Sequence, residues 1–250
     1  MWKKFILHLM LACGLFTATQ AQASRAATSN SYPERGAQWS AKGDWERALA
    51  DFDLAVAADP TNALAWESRG QARRSKGELD GALSDLNHAL KLNPQRAQTW
   101  HQRAVVQYLK QDFDAAIADA SEAIKLNPRL VAAWSDRGLA KQAKGDLDGA
   151  LSDYTRGLEL KPNTESFFNR GTVWQSKGEF RKAIADYSQA LKRNPEFADG
   201  YARRGLTLLL LGEEVAAQRD FDQCVKLNPQ HKAALEQEIR KAKAQRTSKQ

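Results

Sequence analysis

Six arginines and six aspartates recur in fixed register along this 250-residue chain: Arg35, Arg69, Arg103, Arg137, Arg170 and Arg204, with Asp51, Asp85, Asp119, Asp153, Asp186 and Asp220. Two chemistries suit such a series. Free arginines would make a ladder for an anionic ligand. Arginines neutralised by aspartates on a neighbouring helix would make a repeated, partly buried ion pair, and the matched recurrence of both partners favours this second reading. Such pairs are weak evidence for stability, but they can fix the register of one structural unit on the next. Other chemistry has no motif to carry it. There is no phosphate-cradling glycine loop, no metal-spaced His/Cys set and no nucleophile elbow. His8, His88, His101 and His231 are scattered. Cys224 takes a small, buried register position and reads as packing; Cys13, the other cysteine, lies in a segment expected to be removed, which excludes an intramolecular disulfide framework. The expectation is a protein that is not an enzyme and has no catalytic, metal or cofactor residues.

The elements that must hold this ladder repeat with it. Sliding the chain by 34 residues lays Trp134 on Trp100 and then Trp66, and Pro162 on Pro128, Pro94 and Pro60. Within each copy an aromatic opens the first helix: Tyr32, Trp66, Trp100, Trp134, Phe167 and Tyr201. The arginine follows three residues later, and a small residue comes next: Gly36, Gly70, Ala104, Gly138, Gly171 and Gly205. Gly43, Gly77, Gly145, Gly178 and Gly212 break the chain between two helical patterns, with Gln111 as the exception. An alanine, from Ala48 to Ala217, marks each second helix, and a proline, from Pro60 to Pro229, cannot continue it. One hairpin of this kind leaves a side of each helix uncovered, and only another copy covers it. The small eighth position facing the alanine lets two helices approach closely, and the aromatic series is expected to fill the core beside them.

These residues resemble the tetratricopeptide repeat family over residues 29–231. The departure is the seventh position, always arginine here and often leucine in the family. The resemblance implies an all-α, right-handed superhelical solenoid of helix-turn-helix repeats. Six repeats are expected, at 29–62, 63–96, 97–130, 131–164, 164–197 and 198–231, followed at 232–250 by a capping helix and a basic, fraying tail. It also implies a concave groove lined by first helices, with Leu64, Gln71, Arg74, His101, Val105, Tyr108, Leu139, Gln142, Phe168, Thr172, Leu206 and Leu209 as its surface. The fifth positions, Pro33, Glu67, His101, Ser135, Phe168 and Ala202, lack the lysine and asparagine clamp by which some members hold acidic chaperone tails.

The formal charge of +7 is concentrated at the ends. Lys3 and Lys4 lie at one end, and six basic residues against two acidic ones lie at 232–250, so the body between is nearly neutral. Residues 1–23 read as a secretory signal: two lysines, an apolar run from Phe5 to Phe16, and Ala21-Gln22-Ala23 as the cleavage site. Lipidation at Cys13 and retention as an anchor are the competing readings, and all three export the remainder. Residues 24–30 form a polar linker. The expected function is a periplasmic or secreted scaffold or adaptor in envelope assembly, binding a protein or peptide, with no transmembrane helix in the mature chain. The alternative is nucleic-acid or other anionic-ligand binding through the arginine ladder or the basic C-terminal tail. The sequence does not decide partner, pathway or oligomeric state.

Overall fold

The computed structural model describes residues 31–247. The expected signal segment 1–23 with its expected cleavage site, Cys13 and the expected linker 24–30 lie outside the described residues. All secondary structure among the described residues is helical. The helices are α1 (Ser31–Ala41), α2 (Trp45–Ala58), α3 (Ala63–Ser75), α4 (Leu79–Leu92), α5 (Ala97–Leu109), α6 (Phe113–Leu126), α7 (Val131–Ala143), α8 (Leu147–Leu160), α9 (Thr164–Ser176), α10 (Phe180–Arg193), α11 (Ala198–Leu210), α12 (Glu214–Leu227) and α13 (Lys232–Thr247). Pro229–His231 forms a 3₁₀ turn before α13.

Local chemistry sets these boundaries. The glycines that end the odd-numbered helices are left-handed, with φ from +76° to +85°, and Gln111 takes the same role at φ +64°. The residues before the prolines are extended, as at Asp59 (φ −140°), Asn93 (φ −139°) and Asn228 (φ −140°). Their side chains then accept the backbone N–H two residues on, at Thr61, Gln95 and Gln230, which turns the chain into the next element.

The described residues divide into two compact units, one ending at Asp112 and the other starting at Phe113. In the first, α1 to α5 pack each on the next, and α3 also meets α1 and α5. In the second, α6 to α12 do the same, with α9 touching both α7 and α11. In five of the six hairpins the core is a large side chain of the second helix laid over the glycine of the first; the hairpin of α5 and α6 has Ala104 and Ala120 at these positions. A Cβ at Gly36 would stand 2.7 Å from the Phe52 ring, at Gly138 2.9 Å from Tyr154, at Gly171 2.7 Å from Tyr187, and at Gly205 2.6 Å from Phe221. The small position therefore receives a ring more than it faces the alanine, although Gly70 and Gly205 also lie close to the Ala82 and Ala217 carbonyls. Tyr154 and Tyr187 are fully buried. Their hydroxyls donate to Gln142 and Gln175 at 3.2 and 2.9 Å, which satisfies the one polar atom each ring carries inward.

The aromatics at the fourth position are not this core. Trp66, Trp100 and Trp134 are half-buried, and their indole N–H groups donate to the Pro60, Pro94 and Pro128 carbonyls at 2.8, 2.8 and 2.9 Å. They sit over the loop that begins the repeat, because an indole needs a polar partner for its N–H.

At the C-terminal end, α13 packs mainly on α11. Leu235 and Ala242 close an apolar cluster with Leu206, Leu209, Phe221 and Cys224. The helix continues through Ala244 to Thr247, where fraying was expected. Arg246 holds it there by donating to the Leu209 carbonyl at 3.3 Å and to Glu214 at 2.6 Å. Because α13 leans on α11, a cavity of about 460 Å³ stays open beside α12, floored by Phe221, Val225, Leu235 and Ile239.

Candidate functional site

The arginine ladder consists of engaged charges. Arg69 donates from Nε and Nη2 to Asp85 at 2.9 and 2.7 Å, Arg137 likewise to Asp153, and Arg204 to Asp220 at 2.8 Å for both bonds. Arg170 makes the same pair with Asp186, and Arg35 with Asp51. All six aspartates, Asp119 included, are buried. The bidentate fork suits guanidinium geometry, which an ammonium cannot reproduce. Hydrogen bonding to Asp220 holds the Arg204 guanidinium above its ordinary pKa against the opposing cost of burial, and Asp85 does the same for Arg69.

The third guanidinium nitrogen has a use that the sequence reading missed. Nη1 of Arg69 donates to Asp53, of Arg103 to Asn87, of Arg137 to Ser121, of Arg170 to Thr155 and of Arg204 to Ser188, all within 3.1 Å. Each acceptor lies on the second helix of the preceding hairpin. One arginine thus clamps its own hairpin and staples it to the one before. Its flat face lies on the half-buried aromatic three residues earlier, 4.7 Å from the Trp66 centroid for Arg69 and 4.9 Å from Trp134 for Arg137. The fork that an anionic ligand would require is occupied. A second, exposed set of pairs runs beside it: Lys76 with Glu46, Lys110 with Asp80, Lys144 with Asp114, and Lys177 with Asp148. At such exposure each is worth about 0–1 kcal/mol.

The expected groove residues fall into three groups. Leu64 and Gln71 are exposed, and Arg74, Val105, Tyr108, Leu139, Gln142, Phe168 and Thr172 are partly covered. His101, Leu206 and Leu209 are buried, and this corrects their assignment to an open surface. Leu206 and Leu209 are taken by the cluster under α13. His101 stands at a fifth position; at its equivalents Glu67 and Ser135 the side chain turns into the seam between successive first helices of the same unit. Glu67 shows the rule: it is buried, accepts from Arg96 Nε at 2.8 Å and from the Thr99 hydroxyl. Ser135 meets Ser166 at 3.0 Å in the same way. Gln142 and Thr172 are joined at 3.4 Å, so they act on each other before they act on a ligand.

Two cavities open on first-helix faces. In the first unit, Ala37, Trp45, Gln71 and Ser75 help to line about 370 Å³. In the second, about 380 Å³ is enclosed by Phe168 of α9, Asp199, Ala202 and Arg203 of α11, Cys224 of α12, His231, and Ala234, Leu235 and Glu238 of α13. Phe168 sits against Phe197 edge-on, with centroids 4.9 Å apart, and against Tyr187 at 5.7 Å. Burial pushes the Cys224 thiol above its usual range, and the nearby Asp199 charge adds to this. That is the environment of an inert packing cysteine. Among the described residues no cluster of His, Cys, Asp or Glu has metal-binding geometry, and no helix is long and apolar enough to cross a membrane.

Known proteins share this architecture. Family models described as tetratricopeptide repeat match residues 102–165, 164–197 and 198–231, and one described as TPR repeat matches residues 70–111. No curated protein matches the chain in sequence. Among solved structures, PilF of Pseudomonas aeruginosa is 17% identical, with a TM-score of 0.76 over 89% of this chain and 99% of that one. PilW, described as a widely conserved type IV pilus biogenesis factor, is 20% identical, with a TM-score of 0.76 over 81% of this chain and 94% of that one. YrrB, described as a TPR protein with an unusual peptide-binding site, is 21% identical, with a TM-score of 0.61 over 77% and 97%. These likenesses are of fold, and with the four family matches they give residues 70–231 their identity: a run of tetratricopeptide repeats.

Proposed function

We propose that this chain is an exported scaffold or adaptor that binds a protein or peptide partner on the faces of its first helices, in the assembly of the cell envelope. The observation that carries the reading is the combination of an engaged arginine ladder with partly exposed apolar side chains on first helices. Tyr108, Leu139 and Phe168 remain partly accessible, and Leu64 is 50% exposed. Apolar side chains left accessible on the first helices of each unit commonly mark an interaction surface. The peptide-binding description of YrrB and the pilus-biogenesis description of PilW support a binding role and an envelope setting. Export rests on residues 1–23, with a mature chain beginning at Ser24 as the expected form; N-terminal sequencing of the native protein checks it, and a lipid-modified Cys13 terminus would place the protein on a membrane surface instead.

A photo-reactive residue at Leu139, compared with one at the exposed Arg219 of α12, tests the binding face in the intact envelope. Capture of a defined protein from Leu139 and not from Arg219 is the expected result. Equal capture from both positions, or capture from Arg219 alone, overturns the assignment.

A further inference from the structure

The cavity between α9, α11 and α13 carries more information than its apolar floor. Phe168, Ala202 and Leu235 form that floor. The charges that line it are of both signs. Arg203 stands on α11, and its charge acts on the buried Tyr187 phenol. Glu238 stands on α13, and Asp199, one turn before Arg203 on α11, lies beside His231, with 3.5 Å between its carboxylate and Nδ1. Arg203 and Glu238 line one cavity with opposite charge, yet among the described residues neither side chain is engaged in an ion pair. Every ladder arginine, by contrast, has its aspartate or a polar acceptor in place. Unpaired charges of both signs around one apolar cavity are complementary to a ligand that is itself bipolar. The volume, about 380 Å³, suits one large side chain with its neighbours at the rim.

We propose that this cavity takes a short partner segment in which one large apolar side chain is flanked by a basic residue on one side and an acidic residue on the other. The apolar side chain rests on Phe168 and Leu235, the basic residue meets Glu238, and the acidic residue meets Arg203. Helix α13 is then a wall of the binding site as well as the cover of the last hairpin. The inference rests on the reading of first-helix faces as the binding surface, and it names the chemistry of the segment bound.

The probe is an array of synthetic nine-residue peptides with a central Leu or Phe and flanking positions varied through Lys, Glu and Ser in both orders. The full chain is applied, and affinities of selected peptides follow by fluorescence polarisation. Peptides with one Lys and one Glu flank should bind about fivefold or more tighter than their Ser-flanked counterparts, a modest factor because the rim is solvated. Arg203→Glu should abolish the gain from the Glu flank alone, and Glu238→Lys the gain from the Lys flank alone. Glu238→Lys should favour the peptide whose Lys is replaced by Glu. Both positions are exposed and unpaired, so thermal melts of the variants should match the parent. Binding that ignores flank charge and both variants overturns the proposal while leaving a peptide-binding face intact. No binding to any array member, with a protein still captured at Leu139, overturns the proposal alone. No binding in either experiment removes the broader reading as well.

Discussion

Arg204 and Asp220 share two parallel hydrogen bonds of 2.8 Å, and among the described residues Asp220 has no second cation. The equivalent Asp153 is differently placed: besides Arg137, it has Lys141 Nζ at 2.9 Å. Removing one partner of a buried pair costs about 3–5 kcal/mol because an uncompensated charge stays inside. Arg204→Ala should therefore fall in that range, and Arg137→Ala should cost at least about 1 kcal/mol less, since Lys141 still neutralises Asp153. Urea unfolding of the two variants checks the order. Equal costs would mean that the lysine contributes nothing and that the lost Nη1 staples to Ser188 and Ser121 dominate.

Two glycines in neighbouring hairpins should respond to the same substitution with opposite signs. At Gly171 a Cβ would stand 2.7 and 2.9 Å from the buried Tyr187 ring, which has no room to retreat. Gly171→Ala is expected to cost about 1–3 kcal/mol through overpacking. At Gly157, within α8, a Cβ would meet Ser135 Oγ, Trp134 Cβ and Val131 Cγ1 at 3.7 to 3.9 Å, which is ordinary contact. There the helix gains from alanine, and Gly157→Ala should stabilise by about 0.5–1 kcal/mol. Thermal melts of the two variants read both signs directly.

These cases show what the chain discloses before it is folded. Period, turns and helix ends are legible because each depends on one residue type with one backbone consequence: Gly43 or Gly212 at positive φ, Pro60 or Pro229 after an extended residue. The arginine staple was harder to see. Its acceptors, Asp53, Asn87, Ser121, Thr155 and Ser188, share an oxygen but not an identity, so no letter repeats. The two series of large side chains were hard to rank for a related reason. Trp134 and Tyr154 are both large and periodic, and only the close approach of Gly138 decides that the second is the core ring. Direction within a first helix was hidden as well. The spacing of Glu67 and His101 fits a groove, but both are buried, Glu67 against Arg96 and Thr99 at the start of the next first helix.

Gln111 is the one described non-glycine with positive φ, +64°, at a turn where five hairpins use glycine. Its side chain is exposed and no backbone contact requires it. Gln111→Gly should relieve the left-handed strain and stabilise by up to about 1 kcal/mol, partly offset by a more flexible unfolded chain. The midpoint should rise by about 2–4 °C for a chain of this size. Amide exchange across residues 97–130, expected to be faster than in the neighbouring hairpins, should slow in the variant. No change in either measurement would show that the turn is not where local stability is lost.

Tyr108 and Phe168 both face the proposed binding surface, but their surroundings differ, and so should their variants. Phe168 touches Tyr187 and Phe197 and forms the floor of the α9–α11–α13 cavity. Phe168→Ala removes part of that packing, so a cost of roughly 1–3 kcal/mol in stability should accompany the loss of binding. Tyr108 is partly exposed near the end of α5. Tyr108→Ala should weaken partner capture with a smaller change in thermal midpoint, because a side chain that a partner buries can contribute roughly 2 kcal/mol or more to binding. Trp134→Ala provides the contrast. Its indole bridges to the Pro128 carbonyl and carries the Arg137 face, so it should lose binding only as far as the hairpin loosens. Capture and melting measured together separate the three. If Tyr108→Ala captures as well as the parent, Tyr108 is not part of the binding surface, and the cavity lined by Trp45, Gln71 and Ser75 is the next place in the first unit to substitute.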